Sequence, residues 1–340
     1  MMPTLDDVAR LAGVSRMTAS NALRGKSYVR PETAAKVLQA ARQLKYRPNL
    51  AARQLSSGKT NVIGFSTVEL DYSPFSADLA AAISDQALAM GYQTLIQQTR
   101  HEFRTEMSMM SEISTQYCDG TILAAPTLPV SQIIELNQHY PLVIFDGPDL
   151  NGEVDCVLSP SEEGSIDAVE HLISQGCRHI LVLGAQPGDE AALNHNVDNG
   201  SLRLRGAIRA MDKHGLKQSM EYVQPCSWKY EDGYQALNNW LDSHPDVEID
   251  GIYCITDVVA IGAMMALQQR GIRIPQDVAV IGFDGLEESR FTNPPLSTIA
   301  VDVQTVAAQC LRLLTNRMND GPREQVTLPY ELMVRESSTR

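Results

Sequence analysis

Seven short apolar runs constrain everything after residue 60. They are NVIGFSTV (61–68), QTLIQQT (93–99), GTILAAP (120–126), LVIFDG (142–147), HILVLGA (179–185), GIYCIT (251–256) and VAVIGFDG (278–285). Each is brief, rich in β-branched residues and closed by Gly, Pro, Asp or Thr, which reads as a strand. Amphipathic segments with helical spacing lie among them at 78–90, 131–139, 163–175, 202–214, 230–243 and 258–270. Alternation of strands with helices specifies a parallel, doubly wound α/β arrangement. A stretch running from 61 to 340 divides more naturally into two such lobes than into one. Ligands of open parallel sheets meet the carboxyl ends of the strands, so two facing lobes would hold one in the cleft between them.

That rule selects residues by position. Asp146 ends LVIFD, Thr256 and Asp257 end GIYCIT, Asp284 ends VAVIGFD, and Pro74, Phe75 and Ser76 follow the first strand. Each could instead cap the next helix, Asp257 above all. Arg203 precedes Gly206 near the start of a helix, where a guanidinium could reach vicinal hydroxyls. Trp228, one of two tryptophans, lies in the polar stretch PCSWKYEDGY. An indole there suits the apolar face of a sugar, the alternative being a core position. Trp240, on a helix, reads as core.

Charge divides the chain at the same point. The net charge is −13, yet residues 1–60 hold 11 Lys and Arg against 3 Asp and Glu, and the rest holds 17 against 38. A basic head on an acidic body places any polyanion on the head alone. Within the head, Thr4 and Asp7 form a capping pair, Leu5, Val8 and Leu11 share a helical face, and Gly13 ends the helix. Val14 reads as a plug in the turn. Ser15 caps a second helix, about 16–23, that buries Ala19, Ala22 and Leu23. Pro31 starts a third, to about residue 46, with Ala34, Val37, Leu38, Ala41 and Leu44 on its apolar face. Three short helices with a tight Gly turn make a helix-turn-helix unit. Its second helix leaves Arg16, Met17, Ser20 and Asn21 outward, a set suited to guanine, thymine and adenine edges. Thr18, Ser20, Lys26 and Tyr28 are placed to bond phosphates. A solvated helical face is the alternative. Next, Asn49 caps a short helix in which Ala51 and Ala52 permit close approach to a second copy. Leu55 would be an apolar wedge for a minor-groove step.

The order TLDDVARLAGVS, reading helix, then YRPNLAARQL resembles the N-terminal signature of the lactose-repressor (LacI/GalR) family of bacterial transcription regulators. The similarity continues through the body: SLRLRGA resembles the family's R-x-x-G segment, GFDG its G-[FY]-D-[DNG], and PPLSTIAVD its crossover between lobes. WKYEDGY keeps the family's spacing from tryptophan to glycine, and LPYELMVRESSTR resembles its closing strand. The resemblance implies a periplasmic-binding-protein-like body and base reading by Arg16, Met17 and Asn21. It also implies intercalation by Leu55, with Arg203 and Asp284 holding ligand hydroxyls. The sequence departs from the common pattern at Asn21, where many relatives carry Arg, at Thr256, where many have Asn, and at Pro160-Ser161, where many have Asp-Asn.

The expected division is a helix-turn-helix domain at 1–47, a hinge helix and linker at 48–60, and an effector-binding domain at 61–340. Within the last, lobe 1 covers about 61–159 and 299–325, and lobe 2 about 160–298 and 326–340. DNA contacts are assigned to Thr4, Ser15, Arg16, Met17, Thr18, Ser20, Asn21, Lys26, Tyr28, Asn49, Ala52 and Leu55. Effector contacts are assigned to Phe75, Ser76, Asp146, Arg203, Trp228, Thr256 and Asp284. No phosphate loop, nucleophile elbow or paired metal-binding histidines occur, and Cys177 and His179 alone make a poor metal pair. The expectation is therefore no enzyme, no cofactor and no metal. It is a cytoplasmic homodimeric repressor of carbohydrate genes that binds a pseudo-palindromic operator and a small effector, expected to be a sugar. A purine- or nucleoside-responsive regulator, a sugar-modifying enzyme with a DNA-binding head, and a transport receptor are the competing readings. The basic head and the lack of a secretory signal weigh against the last.

Overall fold

The computed structural model describes residues 3–23, 26–46, 59–100, 102–188, 198–216 and 220–340. The chain forms two compact units, Met1–Thr60 and Asn61–Arg340. The expected hinge helix, with Asn49, Ala52 and Leu55, lies outside the described residues.

In the first unit α1 (Leu5–Ala12), α2 (Arg16–Leu23) and α3 (Pro31–Gln43) enclose a core of Val8, Ala9, Ala19, Ala22, Val37, Ala40 and Ala41. Thr4 and Asp7 cap α1 reciprocally: the Asp7 N–H donates to Thr4 Oγ1 at 3.3 Å and the Thr4 N–H to Asp7 Oδ2 at 2.9 Å. Gly13 turns the chain at φ +67°, a left-handed conformation that a Cβ would strain. Val14 packs on the core from that turn. The apolar stripe is narrower than its sequence pattern implies. Leu11 and Leu38, expected on the buried faces, are 48% and 42% exposed because they flank the stripe centred on Val8–Ala9 and Val37–Ala41. The third helix also stops earlier than expected, with Leu44 as its cap and Lys45 left-handed at φ 51°.

The second unit has two six-stranded sheets. The first contains β1 (Val62–Thr67), β2 (Gln93–Gln98), β3 (Gly120–Ala124), β4 (Leu142–Phe145) and β5 (Asp155–Leu158), joined by β11 (Gln325–Thr327). The second contains β6 (Ile180–Leu183), β7 (Val223–Gln224), β8 (Gly251–Cys254), β9 (Ala279–Asp284) and β10 (Ser297–Ala300), joined by β12 (Glu331–Met333). Their orders, β2-β1-β3-β4-β5-β11 and β7-β6-β8-β9-β10-β12, are the same winding, parallel except where β12 runs antiparallel to β10. Chain order reverses direction between β1 and β3 and between β6 and β8, which is where such sheets bind ligands.

Both faces of each sheet are covered. In the first lobe α4 (Pro74–Ala89) packs against α11 (Val303–Arg317). The other face carries α6 (Val130–His139) and α5 (Phe103–Ser108), which continues through a π-helical stretch, Met109–Ser114. In the second lobe α7 (Ser161–Ser174) packs on α8 (Asn199–Lys213), and α9 (Tyr230–Ser243) on α10 (Asp257–Gln269). Hence β3 is buried throughout, sending Ile122 and Leu123 into different cores. Trp240 is core, stacked on His244 at 4.8 Å.

Pairing shifts the later lobe boundaries. Ala300 still pairs with Asp284 in the second sheet, and Thr327 with Leu158 in the first. The crossings therefore fall after 300 and after 327, two residues beyond the expected 298 and 325. An apolar pattern shows that a strand exists, whereas its hydrogen-bonded neighbour decides its lobe.

Candidate effector pocket and nucleic-acid interface

On the head, Ser15 immediately precedes α2, and its Oγ accepts the Thr18 N–H at 3.1 Å and meets Thr18 Oγ1 at 2.8 Å. The Thr4 and Ser15 hydroxyls are thus engaged as helix caps, a structural use beside any contact with DNA. Met17 is 75% and Tyr28 71% exposed, Lys26 is exposed, and Thr18, Ser20 and Asn21 are half-buried. Arg16 is held loosely by Asp6 at 3.6 Å with both side chains more than half exposed. Such a surface pair contributes little and yields readily to a phosphate or a base edge.

In the body, strand ends and helix starts surround a cavity of about 160 Å³. The first lobe contributes Thr67, Val68, Glu69, Ser73, Pro74, Phe75, Ser76, Leu79, Ala124, Ala125, Phe145 and Asp146. The second contributes Asn199, Arg203, Trp228, Thr256, Val258, Asp284 and Leu286, and the crossovers supply Ser159 and Val301. All seven residues assigned to an effector line this one cavity. Phe75 and Ser76 sit on the first turn of α4, which starts earlier than its apolar pattern suggests because Ser73 caps it and Pro74 fits its first position.

Arg203 is the electrostatic centre. Its Nη2 lies 3.0 Å from Asp284 Oδ1, its Nη1 donates to the Ile255 carbonyl at 2.5 Å, and its guanidinium carbon stands 3.8 Å over the Phe283 ring. Asp146 approaches from the other lobe. It accepts the Ser159 N–H at 2.6 Å, the Ser159 hydroxyl at 2.7 Å and Asn199 Nδ2 at 2.9 Å. The Asn199 bond crosses between lobes. Burial pushes the Asp284 carboxyl up to about 6, with Arg203 pulling it down and Asp146 pushing it further up. Burial also raises Asp146, against the pull of its hydrogen bonds and of Arg203. Two carboxylate acceptors and one guanidinium donor in a largely buried site make a strong polar set for a ligand.

Backbone conformation concentrates here too. Ala125, Asp146 and Asp284, each at the carboxyl end of a cavity strand, have φ of 46°, 51° and 115°. Non-glycine residues held there carry strain of about 1–3 kcal/mol each, which functional sites typically accumulate. Trp228 donates from Nε1 to the Gly184 carbonyl at 3.2 Å and remains 40% exposed, an open stacking face rather than a core ring. Thr256 lines the cavity and also caps α10, accepting the Val259 N–H at 3.3 Å. Asp257 lies behind the wall, where its Oδ2 accepts the Leu286 N–H at 2.8 Å, and burial holds its carboxyl well above the usual range. Asn199, Ser159 and Glu69 were absent from the sequence assignment. Asn199 and Ser159 belong to no apolar run, and only the fold brings them to Asp146. Among the described residues no three His, Cys, Asp or Glu side chains are grouped to hold a metal, and no helix is long and apolar enough to cross a membrane.

A helix-turn-helix head and a two-lobed cleft body together define a ligand-responsive DNA-binding regulator. Residues 4–49 match the model for bacterial regulatory proteins of the lacI family, and 169–338 that for a periplasmic binding protein-like domain. The chain belongs to the lacI family. It is 30% identical over 341 residues to the HTH-type transcriptional repressor PurR of Pasteurella multocida, covering 99% of this chain and 98% of that one. It is 31% identical over 339 residues to the ribose operon repressor of Halalkalibacterium halodurans, covering 99% and 97%. Among solved structures, the lac repressor dimer bound to operator and the anti-inducer ONPF matches with a TM-score of 0.84 at 25% identity, covering 100% of each chain. A transcriptional regulator CelR–cellobiose complex matches at 0.71 and 26% identity, covering 98% and 99%.

Proposed function

We propose that the protein is a cytoplasmic repressor that binds a pseudo-palindromic operator as a homodimer and releases or tightens its grip when a small polyhydroxylated molecule, a sugar, enters the cleft. The observation carrying this reading is the Asp146–Arg203–Asp284 cluster, contributed by both lobes, beside the rings of Phe75 and Trp228. Carboxylates accept from hydroxyls, a guanidinium donates to them, and an aromatic wall takes the apolar face of a sugar ring. A ligand bridging the lobes binds one lobe arrangement better than another, which is the requirement for coupling to DNA. The carbohydrate genes under control follow from the ligand class. Arg16, Met17, Ser20 and Asn21 would read bases, with Thr4, Ser15, Thr18, Lys26, Tyr28 and Asn49 positioning the head, and Ala52 and Leu55 pairing and wedging at the operator centre.

A nucleobase is the second reading. The similarity to the PurR repressor supports it, and two aromatic walls would also hold a planar ring. The acceptor-rich floor favours the sugar. Thermal-shift titration of the full chain with sugars and nucleobases tests the choice, followed by operator binding with and without any stabilising compound. Stabilisation by a monosaccharide that also changes operator affinity is the expected result. Stabilisation by nucleobases alone would replace the sugar reading.

A further inference from the structure

Outside the cavity wall a second group of side chains joins the lobes. Tyr72 lies between β1 and α4, Lys229 immediately before α9, and the Lys229 ammonium stands 4.0 Å from the centre of the Tyr72 ring. The neighbouring carboxylate of Glu69, a lining residue, raises the Tyr72 hydroxyl above its ordinary pKa. Tyr72 and Lys229 are chain neighbours of the lining residues Ser73 and Trp228, yet neither lines the cavity. The pair thus joins, across the lobes, two chain neighbours of the lining. Lys229 is half-buried, unlike most lysines, and its charge is attracted to the Tyr72 ring.

The cavity beside them is small. At about 160 Å³ it compares with the roughly 150 Å³ that holds a single benzene ring in an engineered protein core. We propose that Tyr72 and Lys229 form a latch that shuts this side of the cleft and admits only a ligand enclosed whole, a free monosaccharide rather than an oligosaccharide. The inference rests on the polyol reading for the ligand's chemistry but not for the latch itself.

The full-length protein supports a test with two arms. The first needs no ligand. Trp240 is buried, so acrylamide quenching reports on Trp228. Lys229→Met and Tyr72→Leu are each expected to raise the quenching constant about twofold, and the double variant no further, because one latch opens once. Tyr72→Leu, on the opposite lobe from Trp228, guards against a purely local effect of Lys229→Met. Unchanged quenching, or effects that add in the double variant, would overturn the latch. The second arm is calorimetric titration with D-ribose, D-glucose, D-galactose, cellobiose, maltose and lactose. The wild type should bind a monosaccharide and reject disaccharides, and the latch variants should bind that monosaccharide about two- to fivefold more weakly. A disaccharide bound as tightly as its monosaccharide would overturn the size limit. If no sugar binds, the polyol reading fails while quenching still decides the latch.

Discussion

Arg203 pairs with Asp284 and pulls down the carboxyl pKa of Asp146, which comes from the other lobe. Its own burial is tolerated because Asp284, the Ile255 carbonyl and the Phe283 ring replace water around the guanidinium. Arg203→Met keeps much of the volume but leaves the carboxyls uncompensated. It should lower unfolding stability in urea by about 3–5 kcal/mol at neutral pH and abolish any effector response in operator binding. Titration of Asp284 gives a second prediction. Its folded pKa of about 6 lies above the ordinary 3.8, so the folded state keeps a proton that the unfolded chain has released. The stability from this site is complete below 3.8 and lost as pH rises through 6. Asp284→Asn removes that titration, so its urea midpoint should fall less than that of the wild type between pH 4 and 7. Ligand binding should run the other way. Hydroxyls donate to the ionised carboxylate, so affinity should rise with pH to about 6 and then level, by at most about tenfold per pH unit on the rising side.

At the scale of elements, the site depends on how closely α7 and α8 approach. Gly206 sits at their contact, where a Cβ would come within 2.3 Å of the Glu162 carbonyl oxygen and 2.9 Å of the Ser165 Cβ. The first neighbour is backbone and cannot swing aside. Gly206→Ala should therefore push α8 off α7, cost about 1–3 kcal/mol and displace Arg203 one turn earlier on the same helix. The measurable outcome is weakened ligand binding, by calorimetry, from a residue that does not line the cavity. The R-x-x-G spacing is thereby explained: the glycine sets the depth of the helix and the arginine uses it.

At the scale of the molecule, charge and fold divide the labour. The basic head suits a polyanion and the acidic body is repelled by one, so DNA binding should reside in the head. A protein lacking residues 1–58 should lose operator binding in a gel-shift assay and retain ligand-induced thermal stabilisation. The intact protein should show log affinity for DNA falling linearly with log salt, with a slope near −0.9 per phosphate neutralised. Operator binding by the truncated body would contradict the assignment.

Periodicity and turn chemistry reveal local events, so seven strands and the helices among them, the Gly13 turn, the capping of α1 and α2 and the strand-end acids Asp146 and Asp284 were all legible in the linear chain. The same logic missed α5, α11 and the short strands β5, β7, β10 and β11, where pairing with neighbours and not intrinsic pattern makes the element, and β12 was read only through the family resemblance. It also placed Leu11 and Leu38 inside, because spacing gives a face but not its width. What only the tertiary structure decided is which distant groups meet: Asn199 and Ser159 on Asp146, Arg203 on Asp284, and Lys229 on Tyr72. Sequence fixes the neighbours of a residue along the chain, whereas those encounters depend on two sheets wound alike and crossed three times, a long-range arrangement that no local run of residues encodes.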